Sequence, residues 1–305
     1  MLKKQSREWI VDTIWGKVAM VSWGDPRNPP VLMLHGYLDT AATFIPLLEH
    51  LPDLYYYVGF DNPGHGKSDP YPIGPMVTQV TLIEVIHRVV THMGWDKFMV
   101  LGHSMAFINA IFYHNVYPGK ITSMVNIDAL PAISNYYAIQ DEPHFWYYYF
   151  YESCYDEYTK NFEDSPLYTR EQALKLLMNS RDISREQAEV ISVRGLEHIK
   201  EDLYRFTRQL MMRKLGQFPV LQDMLKSVIT KNPPRMLHLI AFRRSDRIGR
   251  AHSADIMEEL AKDSRHSIVI VDGAHDVHIT NPEALAPYIV EFLSDDELNK
   301  YKSKL

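Results

Sequence analysis

The stretch FMVLGHSMAF, Phe98–Phe107, joins two structural periods with almost nothing between them. Phe98–Leu101 is a short continuous apolar run, the pattern of a strand buried on both faces. Gly102-His103-Ser104-Met105-Ala106 reads as a sharp turn, and the helical pattern of 105–117 follows at once. The turn is one residue short of G-x-S-x-G: Ala106 stands in the place of the last glycine, with Phe107 behind it. A strand that turns into a helix on a serine lifts that hydroxyl above the sheet, and the next N–H faces the same space at a helix N-terminus. A serine hydroxyl needs a base to become a nucleophile and donors for the oxyanion that it creates. Ser104 is therefore the candidate nucleophile, and the N–H of Met105 a candidate oxyanion donor.

Working outward, similar apolar runs recur at Val31–Leu34, Tyr55–Phe60, Ile121–Ile127, Met236–Phe242 and Ile268–Val271. Helical patterns over 43–50, 76–93, 105–117, 252–262 and 282–293 alternate with them, and two alternating segments, Trp9–Thr13 and Lys17–Trp23, open the chain around a Trp15-Gly16 turn. Strand–helix alternation of this kind predicts an α/β fold whose mostly parallel sheet of eight strands carries helices on both faces. The alternation stops between about Leu130 and Pro234. That region reads as helices without strands, over Arg170–Ser180, Arg185–Val193 and Leu196–Lys214. The expected organisation is a core of residues 1–129 and 235–305 with a helical cap, 130–234, inserted after the sixth strand.

The base is expected after the last strand, in Val271-Asp272-Gly273-Ala274-His275-Asp276-Val277-His278. His275 follows the strand and glycine turn directly and is the predicted base, with His278 a packed neighbour. Two aspartates compete for the acid that orients it. Asp246 follows Met236–Phe242 and fits the chain order nucleophile, acid, histidine; Asp128, in Asn126-Ile127-Asp128-Ala129, closes the sixth strand. Asp246 is preferred on that order. A second oxyanion donor is expected from Leu34-His35-Gly36-Tyr37-Leu38-Asp39, where the N–H of Tyr37 is the candidate and His35 ties loops together. Tyr37, Leu38 and His103, with Phe145, Trp146 and Tyr149 from the aromatic run Phe145–Tyr151, are the candidate pocket residues for a small apolar or aromatic substrate. Asp61-Asn62-Pro63-Gly64-His65-Gly66-Lys67-Ser68-Asp69 has the glycines of a tight loop and no phosphate-loop spacing.

The 305 residues are 46% hydrophobic and 23% charged, enough for a sizeable core. A net charge of −6 argues against nucleic acid as a partner. A single cysteine, Cys154, allows no intrachain disulfide and fits a reducing compartment. No stretch reaches the run of about 18 apolar residues that a transmembrane helix needs. The basic start Met1–Arg7 lacks the apolar run of a secretory signal. The closing Ser303-Lys304-Leu305 matches a receptor-read peroxisomal address, so peroxisomal import through its receptor, otherwise a cytoplasmic location, is expected. The histidines show no metal-ligand spacing, and no metal or organic cofactor is expected.

Taken together, "LHGYLDTAATF" (34–44), "DNPGHGKSD" (61–69), "LGHSM" (101–105) and "DGAHDVHITNPE" (272–283) resemble the α/β-hydrolase superfamily along roughly residues 8–295, and more narrowly its serine hydrolase-like proteins, whose peroxisomal association agrees with the terminal motif. The resemblance implies Ser104 as nucleophile, His275 as base, Asp246 or Asp128 as acid, and the N–H groups of Met105 and Tyr37 as the oxyanion hole. It implies hydrolysis of an ester, thioester or lactone through an acyl-enzyme, in the manner of a carboxylesterase. The family pattern continues the elbow with two glycines, where this chain has Ala106 and Phe107. An overpacked elbow motivates the competing expectation: a non-hydrolytic binder or sensor of a small ligand on the same scaffold, with a vestigial triad.

Overall fold

The computed structural model describes residues 4–72, 77–141, 144, 165–214, 222–242 and 254–302. An antiparallel hairpin, β1 (Ser6–Asp12) and β2 (Lys17–Trp23), leads to β3 (Pro30–Leu34). A 3₁₀ turn at Ala41–Phe44 and the short helix α1 (Ile45–Leu48) precede β4 (Tyr56–Phe60). Helix α2 (Gln79–His92), β5 (Phe98–His103), α3 (Ala106–Val116) and β6 (Ile121–Ile127) follow. The eight-stranded sheet has the order β1-β2-β4-β3-β5-β6-β10-β11, completed late in the chain by β10 (Arg235–Phe242) and β11 (His266–Asp272). β1/β2 and β2/β4 pair antiparallel and every other pair is parallel.

The apolar runs form this sheet because alternate side chains of each strand point to opposite faces, and both faces are covered. Leu32, Leu34, Val58, Phe60, Val100 and Ile240 join one core with α2 and α3. Val31, Met33, Tyr57, Met99, Leu101 and Leu239 join the other with Phe44, Leu47 and the last helix, α10 (Pro282–Lys302). The parallel strands β3, β5, β6, β10 and β11 thus end along one edge, and the loops that leave that edge carry the residues singled out above. Open α/β sheets bind ligands outside the carboxyl ends of their strands.

The connection from β6 to β10 contains α4 (Leu130–Asp141), α5 (Arg170–Arg181), α6 (Arg185–Gly195) and α7 (Gln222–Thr230). It also contains strands, contrary to expectation. β7 (Tyr168–Thr169), β8 (Leu196–Lys200) and β9 (Leu203–Phe206) make a small antiparallel sheet of order β7-β9-β8, where a helix was predicted over Leu196–Lys214. The physical reason is a tight turn at Glu201, which has φ of 48° and lets Leu203–Phe206 pair back antiparallel on β8. Only Leu210–Lys214 is helical there, as a 3₁₀ turn.

α5 and α6 form a helical hairpin, and each starts on a capping box. Thr169 Oγ1 accepts from the Gln172 N–H and Ser184 Oγ from the Gln187 N–H, while each glutamine returns a bond to the cap backbone. α5 stops where Asp182 takes a left-handed conformation, φ 53°. Leu174, Ile183, Ala188 and Ile191 of the hairpin pack with Ile279, which lies in α9 (Val277–Thr280) directly after the His275 loop. A further helix, α8, spans Ala254–Leu260. Among the described residues, no helix is long and apolar enough to cross a membrane.

Candidate active site

Ser104 follows the last residue of β5 with φ of 54°, a conformation that residues other than glycine, asparagine and aspartate rarely adopt. The strain, of order 1–3 kcal/mol, is held by the sheet: the Ser104 N–H donates to Ile127 O at 2.9 Å, and the Phe107 N–H returns to Ser104 O at 3.2 Å. Met105 is the N-cap of α3, and no side chain among the described residues caps that terminus.

The two residues that depart from the glycine pattern are accommodated. A Cβ on Gly102 would lie 3.2 Å from the Ala106 methyl, so the glycine of the strand supplies the room that a glycine at 106 would otherwise have supplied. Phe107 is fully buried in the core under α3 and meets the His238 ring of β10 edge-on, with centroids 5.9 Å apart. Burial pushes His238 down to about 3, so the phenyl ring faces a neutral imidazole.

His275 leaves the carboxyl end of β11 and its side chain is 42% exposed. Its Nδ1 lies 2.7 Å from Oδ2 of Asp128, which is 2% exposed. Asp128 closes β6, next to β5 in the sheet, and it too has positive φ, 45°. Its backbone N–H donates to Leu239 O at 2.8 Å and its Oδ1 accepts from the Ala241 N–H at 3.2 Å. The carboxylate is therefore gripped by β10 on one oxygen and offered to His275 with the other. Asp246, the preferred acid on chain order, lies outside the described residues; the carboxylate beside His275 Nδ1 is that of Asp128.

The loop after β3 lies against the elbow. A Cβ on Gly36 would come within 2.8 Å of His103 Nδ1 and 3.3 Å of Ser104 Cβ, so only glycine lets this backbone pass. Tyr37, next in the chain, donates its hydroxyl to Arg213 O at 2.6 Å and so reaches the 3₁₀ turn of the β6–β10 connection. Leu38 follows with φ of 55°. His35 accepts from the Asn62 N–H at Nε2, 2.9 Å, and holds Gly36 O at Nδ1, 2.8 Å, tying this loop to the one after β4. That second loop is a structural turn: Asp61 accepts from the Ala41 and Lys67 N–H groups at 2.8 and 2.9 Å, and Ser68 donates to Asp61 O.

His103, a candidate pocket residue, is buried, as is Ser104 beside it. Its Nε2 donates to His275 O at 3.0 Å, and the His103 ring lies tilted by 37° against that of His278, with centroids 4.0 Å apart. It braces the histidine loop from beneath, and burial holds its pKa well below the ordinary range. His278 packs as foreseen, with Nε2 2.6 Å from Thr43 Oγ1. Phe145, Trp146 and Tyr149 lie outside the described residues, as do Ser303, Lys304 and Leu305.

A cluster that the sequence reading missed sits beside these loops. Asp39, His103, Asp276 and His278 each bring a ligand-type atom within 4.8 Å of the others. The cation among them is Arg181, which bonds both carboxylates. Their partners are so far away along the chain that no local pattern announces them.

The family model described as "alpha/beta hydrolase fold" matches residues 29–282. A serine hydrolase-like protein of Danio rerio is 25% identical over 99% of this chain and 93% of its own length. A probable serine hydrolase of Drosophila melanogaster is 25% identical over 94% of this chain and 88% of its own. Among solved structures, the thioesterase domain from the curacin biosynthetic pathway superposes with a TM-score of 0.73 at 20% identity, covering 94% of this chain and 99% of that one. With the elbow, the eight-stranded sheet and the histidine loop in their places, the chain belongs to the alpha/beta hydrolase fold family and resembles its serine hydrolase-like members.

Proposed function

We propose that this hydrolase is a serine hydrolase that cleaves an ester, thioester or lactone of a small apolar substrate through an acyl-enzyme on Ser104. The observation that carries the reading is the 2.7 Å contact between His275 Nδ1 and Asp128, set on strand ends beside a serine held at φ 54°. Asp128 orients the imidazole and stabilises the cation it becomes, leaving Nε2 to take the Ser104 proton as Oγ attacks the carbonyl. The oxyanion is received by the N–H groups of Met105 and Tyr37. The tetrahedral intermediate collapses as the leaving alcohol or thiol takes the proton from His275. Water then attacks the acyl-enzyme by the same route and releases the acid. The relatives' names and the thioesterase neighbour agree with this reaction class.

The binder reading rested on an overpacked elbow. Gly102 and the His238 side of the core absorb Ala106 and Phe107, which supports a working nucleophile. The test is labelling by a fluorophosphonate. Wild type is expected to be labelled and Ser104→Ala not at all. A folded wild type that resists the probe while still binding apolar ligands would favour the binder.

A further inference from the structure

Arg181 is the last residue of α5, and its guanidinium faces two carboxylates at once. Nη1 and Nη2 donate to Asp39 Oδ1 and Oδ2 at 3.0 and 2.7 Å; Nε and Nη2 donate to Asp276 Oδ2 and Oδ1 at 3.0 and 2.5 Å. The three side chains are 16%, 7% and 12% exposed, so this is an interior ion cluster and not a surface pair. Burial by itself would raise the Asp39 carboxyl, but the charge and hydrogen bonds of Arg181 hold it below the usual carboxylate range.

The positions of the two carboxylates matter more than their charge. Asp39 lies two residues beyond Tyr37, on the loop after β3; Asp276 is the neighbour of His275, on the loop after β11. In the sheet β3 and β11 are separated by β5, β6 and β10, so no strand pairing fixes one loop against the other. The donor loop and the base loop flank Ser104 from opposite sides, and one planar guanidinium spans them. Bidentate pairing fixes orientation as well as distance, which an ammonium does not. The same hairpin grips the base loop twice more, through Gln187 Nε2 to Ile279 O at 2.8 Å and through the apolar packing of Ile279.

We infer that Arg181 is a positioning residue: it sets the oxyanion loop and the histidine loop in register across Ser104 from the β6–β10 connection. This rests on the serine hydrolase reading for its catalytic consequence. A displacement of about 1 Å in catalytic groups costs on the order of 100-fold in rate, which sets the size of the effect.

The test uses Arg181→Met, Arg181→Lys and a triple variant, Arg181→Met with Asp39→Asn and Asp276→Asn, which leaves no unpaired buried charge and so guards against simple misfolding. Two readouts are taken. The first is hydrogen exchange over residues 36–40 and 274–280. The second is fluorophosphonate inactivation, separated into the maximal rate and the probe concentration for half-saturation. The expected result is a joint loss of protection in both segments and a maximal rate lowered roughly 100-fold with half-saturation unchanged. Arg181→Lys is expected to recover only part of the rate. Unchanged exchange in either segment, or a triple variant inactivated at the wild-type rate, overturns the proposal. If wild type is not labelled, the serine hydrolase reading falls instead, and the exchange data still decide whether Arg181 ties the loops.

Discussion

Two buried arginines leave the same helical hairpin and take hold of the sheet edge in different places. Arg194, at the end of α6, bonds Asp61 through Nε at 2.9 Å and Nη2 at 2.8 Å, and reaches Glu8 with Nη1 at 2.7 Å. Arg181, at the end of α5, bonds Asp39 and Asp276. The chemistry is alike, yet the loops they serve are not. Asp61 already organises a turn through the Ala41 and Lys67 N–H groups, so Arg194 neutralises a carboxylate that builds structure. Asp276 adjoins His275, so Arg181 acts on the loop that carries the proposed base. The difference teaches that a buried ion pair is read by what its backbone supports, since net stability from such pairs is small while loss of one partner is costly.

The sharpest way to break this comparison lies on the side of the His275 loop, where labelling should be sensitive at Asp128, a carboxylate that neither arginine pairs with. Asp128→Asn is expected to slow fluorophosphonate labelling about 10⁴-fold, the cost of the wrong imidazole tautomer, with little change in Tm. If Asp246→Asn carries that loss instead, the acid is Asp246.

On the other side the order should reverse. Arg194→Met leaves Asp61 charged and fully buried without its counter-ion, and is expected to cost about 3–5 kcal/mol of stability by denaturant unfolding. Labelling per folded molecule should stay near wild type. A stable Arg194→Met protein with a lost labelling rate would erase the distinction between the two arginines.

A smaller effect follows from pH. Each cluster is bordered by two buried imidazoles, His35 and His65 near Asp61, and His103 and His278 near Asp276. Burial pushes all four down, His65 to about 4; in His278 burial and then the charge of Arg181 push it to about 3. Folded imidazoles with depressed values stay neutral while the unfolded chain takes protons. Their contribution is therefore complete above about 6.5 and is lost as pH falls toward the folded values. At pH 5, His65 and His278 should each have lost roughly 2 kcal/mol. The Tm of wild type should fall between pH 7 and pH 5, and His278→Gln should flatten that fall. A slope untouched by His278→Gln would place the proton uptake elsewhere.

Much of the fold was legible along the chain. The apolar runs of Val31–Leu34 and Phe98–Leu101 foretold strands buried on both faces, because their length and lack of polar gaps admit little else. Ser104 was legible for a related reason: a strand, a glycine and a serine directly before a helical period describe one turn. The β8–β9 hairpin was missed because Leu196–Lys214 holds no glycine or proline to stop a helix and no strict alternation to announce a strand. The packing of His103 was not legible, because its burial depends on Gly36 and His275 from other loops.

What the sequence alone determined is what local periodicity and turn chemistry determine: the alternating sheet and helices, the elbow at Ser104, and the histidine after the last strand. What only the tertiary structure decided is which distant groups meet. Chain order favoured Asp246, but strand order puts Asp128 beside His275, because β6 lies next to β5 and its last carboxylate is gripped by the backbone of β10. Arg181 finds Asp39 and Asp276 for the same reason. Their separation along the chain is large, and only the closing of the sheet edge under the helical hairpin brings three charges to hydrogen-bond distance.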